Sequence, residues 1–190
     1  MRRVIKSLVF VIAWIAVSPL ILLTWLELKL TRSEHVFQFC AHLLAPLPGW
    51  PGAKLRGAFY CATLENCHWE THIGYGSIFT HRGATLAANV SIGAYCVIGH
   101  ADLGAGVMTG SRVSIPSGKR QHFGGEGDIV TETRYDRVRI GAGCWVGEGA
   151  IVLADVGAGS VVAAGAVIVK PIPERSLAGG NPAQVLRSPP

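Results

Sequence analysis

The chain has 190 residues, enough for a single domain with its own core, and its 24 glycines follow no collagen triplet, so they point to repeated corners. Seventeen Lys and Arg against 12 Asp and Glu give a net charge of +5. The basic residues are scattered with no aromatic–basic alternation, which speaks against a nucleic-acid partner and for membrane phospholipid or a phosphate-bearing cosubstrate. The 5 cysteines form neither a C-x-x-C pair nor a zinc spacing, and so read as packed free thiols of a reducing compartment rather than a secreted disulfide scaffold.

Arg2, Arg3 and Lys6 open the chain, and no charged residue follows from Ser7 to Leu26. That run is long enough to span a bilayer. It ends in Trp25 and Leu26 and lacks an A-x-A-like site, which argues against a cleaved leader. Pro19 after Ser18 removes a backbone hydrogen bond in the middle of the run. A complete crossing would, by the positive-inside rule, put the rest of the chain outside, against the free-thiol argument. The expectation is a membrane-inserted segment over residues 1–30, broken at Ser18–Pro19 and returning to the same face, with a Pro-kinked single span as the alternative. The location implied is the inner (cytoplasmic) membrane, with the folded domain facing the cytoplasm.

Residues 31–54 read as an amphipathic helix followed by a Pro/Gly linker. Ser33 is a candidate N-cap, and Val36, Phe37, Cys40, Leu43, Leu44 and Leu47 share one face. Such a helix suits a membrane interface or the end of a following domain equally well. Pro46, Pro48, Gly49, Pro51 and Gly52 read as a stiff connection.

From about residue 55 to 170 the chain steps in sixes. Leu86, Ile92 and Ile98 are each followed by a small residue (Ala87, Gly93, Gly99), and Leu103, Thr109 and Ile115 repeat the spacing after a contraction. Slim side chains sit four positions after most anchors: Val90, Cys96, Val107, Val113. Leu55, Cys61, Cys67, Ile73 and Phe79 extend the series upstream, and Ile140, Val146, Val152, Val156, Val162 and Ile168 downstream. Neither a helical nor a two-residue strand period gives this pattern. A buried aliphatic with a Gly-permitted corner every six residues is the signature of a parallel β-helix. The series is interrupted over residues 116–137, a polar, Gly-rich excursion of the kind that carries function. In the tail, 171–190, Lys170 to Pro173 stops strand pairing and Pro182 is placed at the first turn of a short final helix.

Three stretches carry a family resemblance: IG-x-x-C-W-V-G-x-G-A (Ile140 to Ala150), V-x-K-x-I-P (Val167 to Pro173) and A-G-G-N-P-A-Q-V (Ala178 to Val185). Over about residues 73 to 187 the chain resembles the hexapeptide-repeat acyltransferases, nearest the galactoside, maltose and xenobiotic acetyltransferases and those of polysaccharide gene clusters. The resemblance implies an all-β fold, a left-handed parallel β-helix that assembles as a homotrimer with active sites between subunits, using acetyl-CoA or another acyl-CoA and no metal. It also implies a histidine of the ejected loop as general base, and His122 stands at the matching place; imidazole titrates near operating pH, as that task needs. Trp145 matches a position that walls the acceptor pocket, where an indole face suits a sugar ring.

The other candidates are weighed against structural roles. His81 and His100 fall in corner segments of neighbouring coils; a surface or structural role is the first reading of each, and orienting His122 or contacting the acceptor is the functional alternative. His68 and His72 would make a zinc pair only on a helix, which the repeat argues against. For coenzyme A, Ala163, Ala164 and Gly165 at a late corner offer backbone donors, and Lys170, Arg175 and Arg187 offer cations for the phosphates. The function implied is transfer of an acyl group to a sugar hydroxyl of a lipid-linked glycan or surface-polysaccharide precursor. The membrane segment motivates the lipid-linked part, because it raises the effective concentration of a bilayer-bound acceptor. The rivals are a nucleotide-sugar N-acetyltransferase, a non-catalytic membrane scaffold, and a β-helix of the γ-carbonic-anhydrase kind, against which the absence of H-x-x-x-x-H speaks.

Overall fold

The structure is a computed structural model and describes residues 2–118 and 135–187. Three helices come first: α1 (Arg2–Leu30), α2 (His35–Leu44) and α3 (Gly49–Thr63). Among the described residues sixteen short strands follow, and the first fifteen wind into a parallel solenoid with three walls. The first wall holds β1 (Asn66–Cys67), β4 (Thr85–Leu86), β7 (Ala101–Leu103) and β10 (Val138–Ile140), continued by bridges at Val156 and Ile172. The second holds β2 (His72–Ile73), β5 (Ser91–Ile92), β8 (Met108–Thr109), β11 (Trp145–Val146), β13 (Val161–Val162) and β15 (Leu177–Gly180), with β16 (Ala183–Arg187) antiparallel at its edge. The third holds β3 (Ile78–Phe79), β6 (Val97–Ile98), β9 (Ser114–Ile115), β12 (Ile151–Val152) and β14 (Val167–Ile168).

The hexads work as read from β2 onward. In each two-residue strand the second side chain points in and is buried, as at Ile73, Ile92, Ile98, Val146 and Val162, while the first faces out. The slim residues four positions on, Val90, Cys96, Val107, Val113 and Cys144, fill the interior at the corners. Small residues after the anchors are required by coil-to-coil approach: a Cβ on Gly93 would overlap the Gly110 carbonyl of the next coil.

Four expectations are corrected. The first helix is not broken at Pro19: α1 runs through it, because Ser18 Oγ donates to the Ile15 carbonyl (2.7 Å), the acceptor that the proline leaves without its usual donor. Residues 49–63 are neither a linker nor a first coil but α3. Pro51 sits in its first turn, where a missing N–H costs nothing, and a Cβ on Gly52 would overlap the Leu47 carbonyl, so that glycine serves close packing. Leu55 and Cys61 are therefore helical, and the solenoid begins at Asn66. Ser33 does not cap α2; its hydroxyl donates to Glu27 Oε1, and Glu27 itself receives the Val36 and Phe37 N–H groups (2.7 and 3.1 Å). The final helix is instead the β15–β16 hairpin, turning at Asn181–Pro182 after Gly179–Gly180, which are turn signals that outweigh a helix start.

The helices form a cap over the first coils. Phe37, Cys40, Ala41 and Leu44 of α2 are buried, so its apolar face packs on the end of the solenoid. Phe37, Phe59, Tyr60 and Phe79 make an aromatic chain from cap to coil. The cap's polar interior is built around α2: the Glu27 carboxylate closes its N-terminus, and Arg56, 1% exposed, donates to the carbonyls of Leu44, Ala45 and Leu47 at and beyond its C-terminus and to Ile73 in the solenoid. Both charges match the helix macrodipole at the end they occupy.

Candidate active site

The corners joining the third wall to the first are the irregular ones, and they bring together two of the histidines singled out in the sequence. Phe79, Ile98 and Ile115 stack in register, so the residues two positions later, His81, His100 and Ser117, form a ladder up one edge. Ser117 is where the excursion leaves: its Oγ accepts the His100 N–H (2.8 Å), and its carbonyl accepts the N–H of Asp136 on the returning limb (3.1 Å). The excursion therefore departs from and returns to one point, directly beside His100.

At that point four side chains converge. The His81 and His100 rings lie 4.8 Å apart, and Tyr135 stacks on His100 (5.6 Å, 6° between planes) while touching His81 (4.3 Å). Glu34, in the link between α1 and α2, closes the cluster. One of its oxygens pairs with His81 Nδ1 at 2.7 Å and the other accepts the Arg82 N–H at 2.8 Å. A carboxylate on Nδ1 orients the ring and leaves Nε2 as its second functional atom. Burial, and then the neighbouring His81, push the His100 pKa below its ordinary value, which favours the neutral ring. Gly83 leaves room for it: a Cβ there would lie 2.7 Å from the His100 ring. Arg137, on the returning limb, pairs with Glu65 (2.5 Å) and Asp102 (2.8 Å) and so fixes that limb to the first and third coils.

A groove of about 360 Å³ opens next to the cluster, lined by Trp25 and Leu28 of α1, Glu34, the end of α3, Arg82 and Gly83. Arg82 is 8% exposed and ties the groove wall to the cap, donating to Glu27 Oε2 (2.8 Å) and the Thr24 carbonyl (2.9 Å) with its guanidinium over the Phe37 ring.

Of the residues singled out in the sequence, His81 and His100 meet. His122 lies outside the described residues. Trp145 stands on the outer face of the second wall between Met108 and Val161, all three exposed, and away from the histidine corner. Ala163, Ala164 and Gly165 form the corner from the second wall to the third. Two of their amides are engaged, Ala163 with the Ala178 carbonyl and Gly165 with that of Glu148, which leaves Ala164 as the donor of the three outside the coil-to-coil bonds among the described residues. Lys170 is exposed on the same edge as His100 but further along the stack; Arg175 is exposed at a different corner, and Arg187 on β16. Within one chain these groups face in different directions. Glu34 and Tyr135 are the residues that sequence reasoning missed. The first reads as an ordinary acid near a helix start, and the second as one more polar-loop aromatic. Among the described residues no group of three or more His, Cys, Asp and Glu is placed to hold a metal ion.

No family model matches the chain, and no curated protein does. Solved structures do. A maltose O-acetyltransferase from Clostridium difficile 630 superposes with a TM-score of 0.69 at 19% identity, over 81% of this chain and 85% of that one. A hexapeptide-repeat acetyltransferase from Vibrio cholerae O1 biovar eltor, solved with acetyl coenzyme A, gives 0.56 at 19% identity over 79% and 84%. A variant of an N-acyltransferase from Bacillus cereus, solved with dTDP and coenzyme A, gives 0.52 at 14% identity over 64% and 74%. At these identities the likeness is one of fold, and the fold of this chain is that of the hexapeptide-repeat acetyltransferases: a parallel β-solenoid, here with a helical cap.

Proposed function

We propose that the protein is a membrane-attached acyltransferase that moves an acetyl or other acyl group from acyl-CoA to a sugar hydroxyl of a lipid-linked glycan or surface-polysaccharide precursor. The observation that carries this reading is the Glu34–His81–His100–Tyr135 cluster at the root of the excursion, on a fold whose solved examples include an acetyltransferase bound to acetyl coenzyme A and an N-acyltransferase bound to coenzyme A. In this reading His122, four positions after the stem residue Gly118, takes the hydroxyl proton as the oxygen attacks the thioester carbonyl. The C–S bond then breaks, and the proton passes to the departing thiolate, with no acyl-enzyme. General-base help of this kind is worth roughly 100- to 10,000-fold. His81 and His100 hold the acceptor beside it.

The coil is left-handed in this reading, and three copies pack so that Trp145 and the Ala163–Gly165 corner of one subunit face the histidine edge of its neighbour. Exposed Val97, Met108, Ile151 and Val161 on the outer walls support such packing, since exposed apolar rows on a regular scaffold favour association. Coenzyme A would lie along that corner, its phosphates near Lys170, Arg175 and Arg187.

The test is acetyl transfer from labelled acetyl-CoA to membrane glycolipid by the purified full chain, with mass spectrometry of surface glycans from cells with and without the protein. Loss of transfer in His122→Ala with coenzyme A binding retained supports the reading. Acetylation of a soluble nucleotide-linked amino sugar would favour N-acyl transfer instead, and an unchanged cellular role in His122→Ala would favour a scaffold.

A further inference from the structure

Helix α1 lies along the folded domain rather than projecting from it. Phe10 packs edge-on against Trp69 of the first coil (6.2 Å), Ala13, Val17 and Ile21 enter the core, Trp25 Nε1 donates to the Ala62 carbonyl at the end of α3 (3.0 Å), and Glu27 is buried against α2 and Arg82. From residue 10 to residue 27, roughly 26 Å of helix, one face is therefore committed to protein. A perpendicular crossing would carry α3 and the first coil, with His68 and Glu70 beside Trp69, into the hydrocarbon. The opposite face is apolar and bare: Leu8, Ile12, Ile15, Leu22 and Leu26 are each at least half exposed, and Pro19 with its missing donor lies among them.

We infer that α1 is an in-plane membrane anchor: the helix lies flat in the headgroup–acyl boundary of one leaflet, its outer face in lipid and its inner face on the protein, neither spanning nor re-entering. This rests on the membrane-attached reading above. Three observations favour lipid over another protein as the occupant. Lys6, Lys29 and Arg32, with Arg2 and Arg3 ahead of them in the sequence, bracket the apolar face with positive charge, matching anionic headgroups. A notch of about 400 Å³ along the border between that face and the protein, lined by Trp14, Ser18, Pro19, Ile21, Leu22 and Trp25, offers an acyl chain a cleft and two indoles of the kind that favour the interface. The same Trp25 lines the groove that leads to Glu34 and Arg82, so a sugar carried on a lipid would meet the histidine cluster from the membrane side.

The test uses the full chain on vesicles of phosphatidylcholine and phosphatidylglycerol. Nitroxide labels are placed singly by Leu8→Cys, Ile15→Cys, Leu22→Cys and Leu26→Cys in a background where the two partly exposed thiols are removed (Cys61→Ser, Cys67→Ser), and their depths are read from oxygen and nickel-chelate accessibility. An in-plane helix gives four equal shallow depths. A span or a hairpin carries the labels at residues 15 and 22 toward the bilayer centre and leaves those nearer the segment's ends shallower, by about 1.5 Å per residue along a perpendicular helix, and either unequal profile overturns the inference. Failure to float with vesicles, together with self-association of the soluble protein through this face, overturns it in favour of a second copy. Ile15→Glu should weaken vesicle binding roughly tenfold or more while leaving the melting temperature unchanged, since the side chain touches solvent and not the core. None of these readouts involves turnover, so a failed acyl-transfer assay and a failed docking assay are separate results.

Discussion

The solenoid and its helical cap bury comparable chemistry by opposite means. Each coil repeats one local instruction, a buried aliphatic and a small corner residue, and each strand bonds only to the coils before and after it. The cap has no repeat; two buried charges from different helices close the two ends of a third. Repetition spreads stability over many equivalent contacts, as in other quasi-one-dimensional folds, whereas the cap concentrates it in Glu27 and Arg56. The sharpest way to break this contrast is Arg56→Leu. It strips donors from the carbonyls of Leu44, Ala45, Leu47 and Ile73 and is expected to cost about 4 kcal/mol. Thermal melting with limited proteolysis should show the cap opening before the solenoid; a single transition shifted by under 1 kcal/mol, as an ordinary surface change gives, would mean that the Arg56 network is not what holds the cap.

That difference explains what could be read in advance. Hexads at Ile73, Leu86, Ile92, Ile98, Val146 and Val162 specify themselves locally, so the coil, its register and the point of interruption were legible. The cap was not, because its determinants are remote. Glu27 caps a helix that begins eight residues after it, Arg56 bonds to carbonyls of another helix, and the Ser18 hydroxyl stands in for the donor that Pro19 lacks. For the same reason the histidine ladder was half visible: the spacing of His81 and His100 showed their stacking, while Glu34 arrives from the cap and Tyr135 from the far side of the excursion.

In the solenoid, the cost of a change should depend on whether it touches coil spacing or only coil filling. Gly93→Ala forces the Gly110 carbonyl away and is expected to destabilise by about 2 kcal/mol, despite adding one methyl group. Ile98→Val deletes a buried methylene from a completely buried side chain and should cost about 1 kcal/mol. Denaturant titration that ranked these two the other way round would show that the walls yield more easily than the interior.

The smallest effect tests whether cap and solenoid communicate at the site. In the folded chain burial and His81 lower the His100 pKa, Glu34 and Glu65 raise it, and Arg137 lowers it. An unfolded histidine titrates near about 6.5. As pH falls through that value, the unfolded chain takes up a proton that folded His100 refuses until its own lower pKa is reached, so folding stability declines across this window and is unaffected above it. His100→Gln should therefore flatten the acid limb of a stability–pH profile as the pH falls below about 6.5. Glu34→Gln removes a charge that favours protonated His100 and should move its titration, followed by NMR, to still lower pH. An unmoved His100 titration in Glu34→Gln would mean that the carboxylate from the cap orients His81 without setting the electrostatics of the ladder behind it.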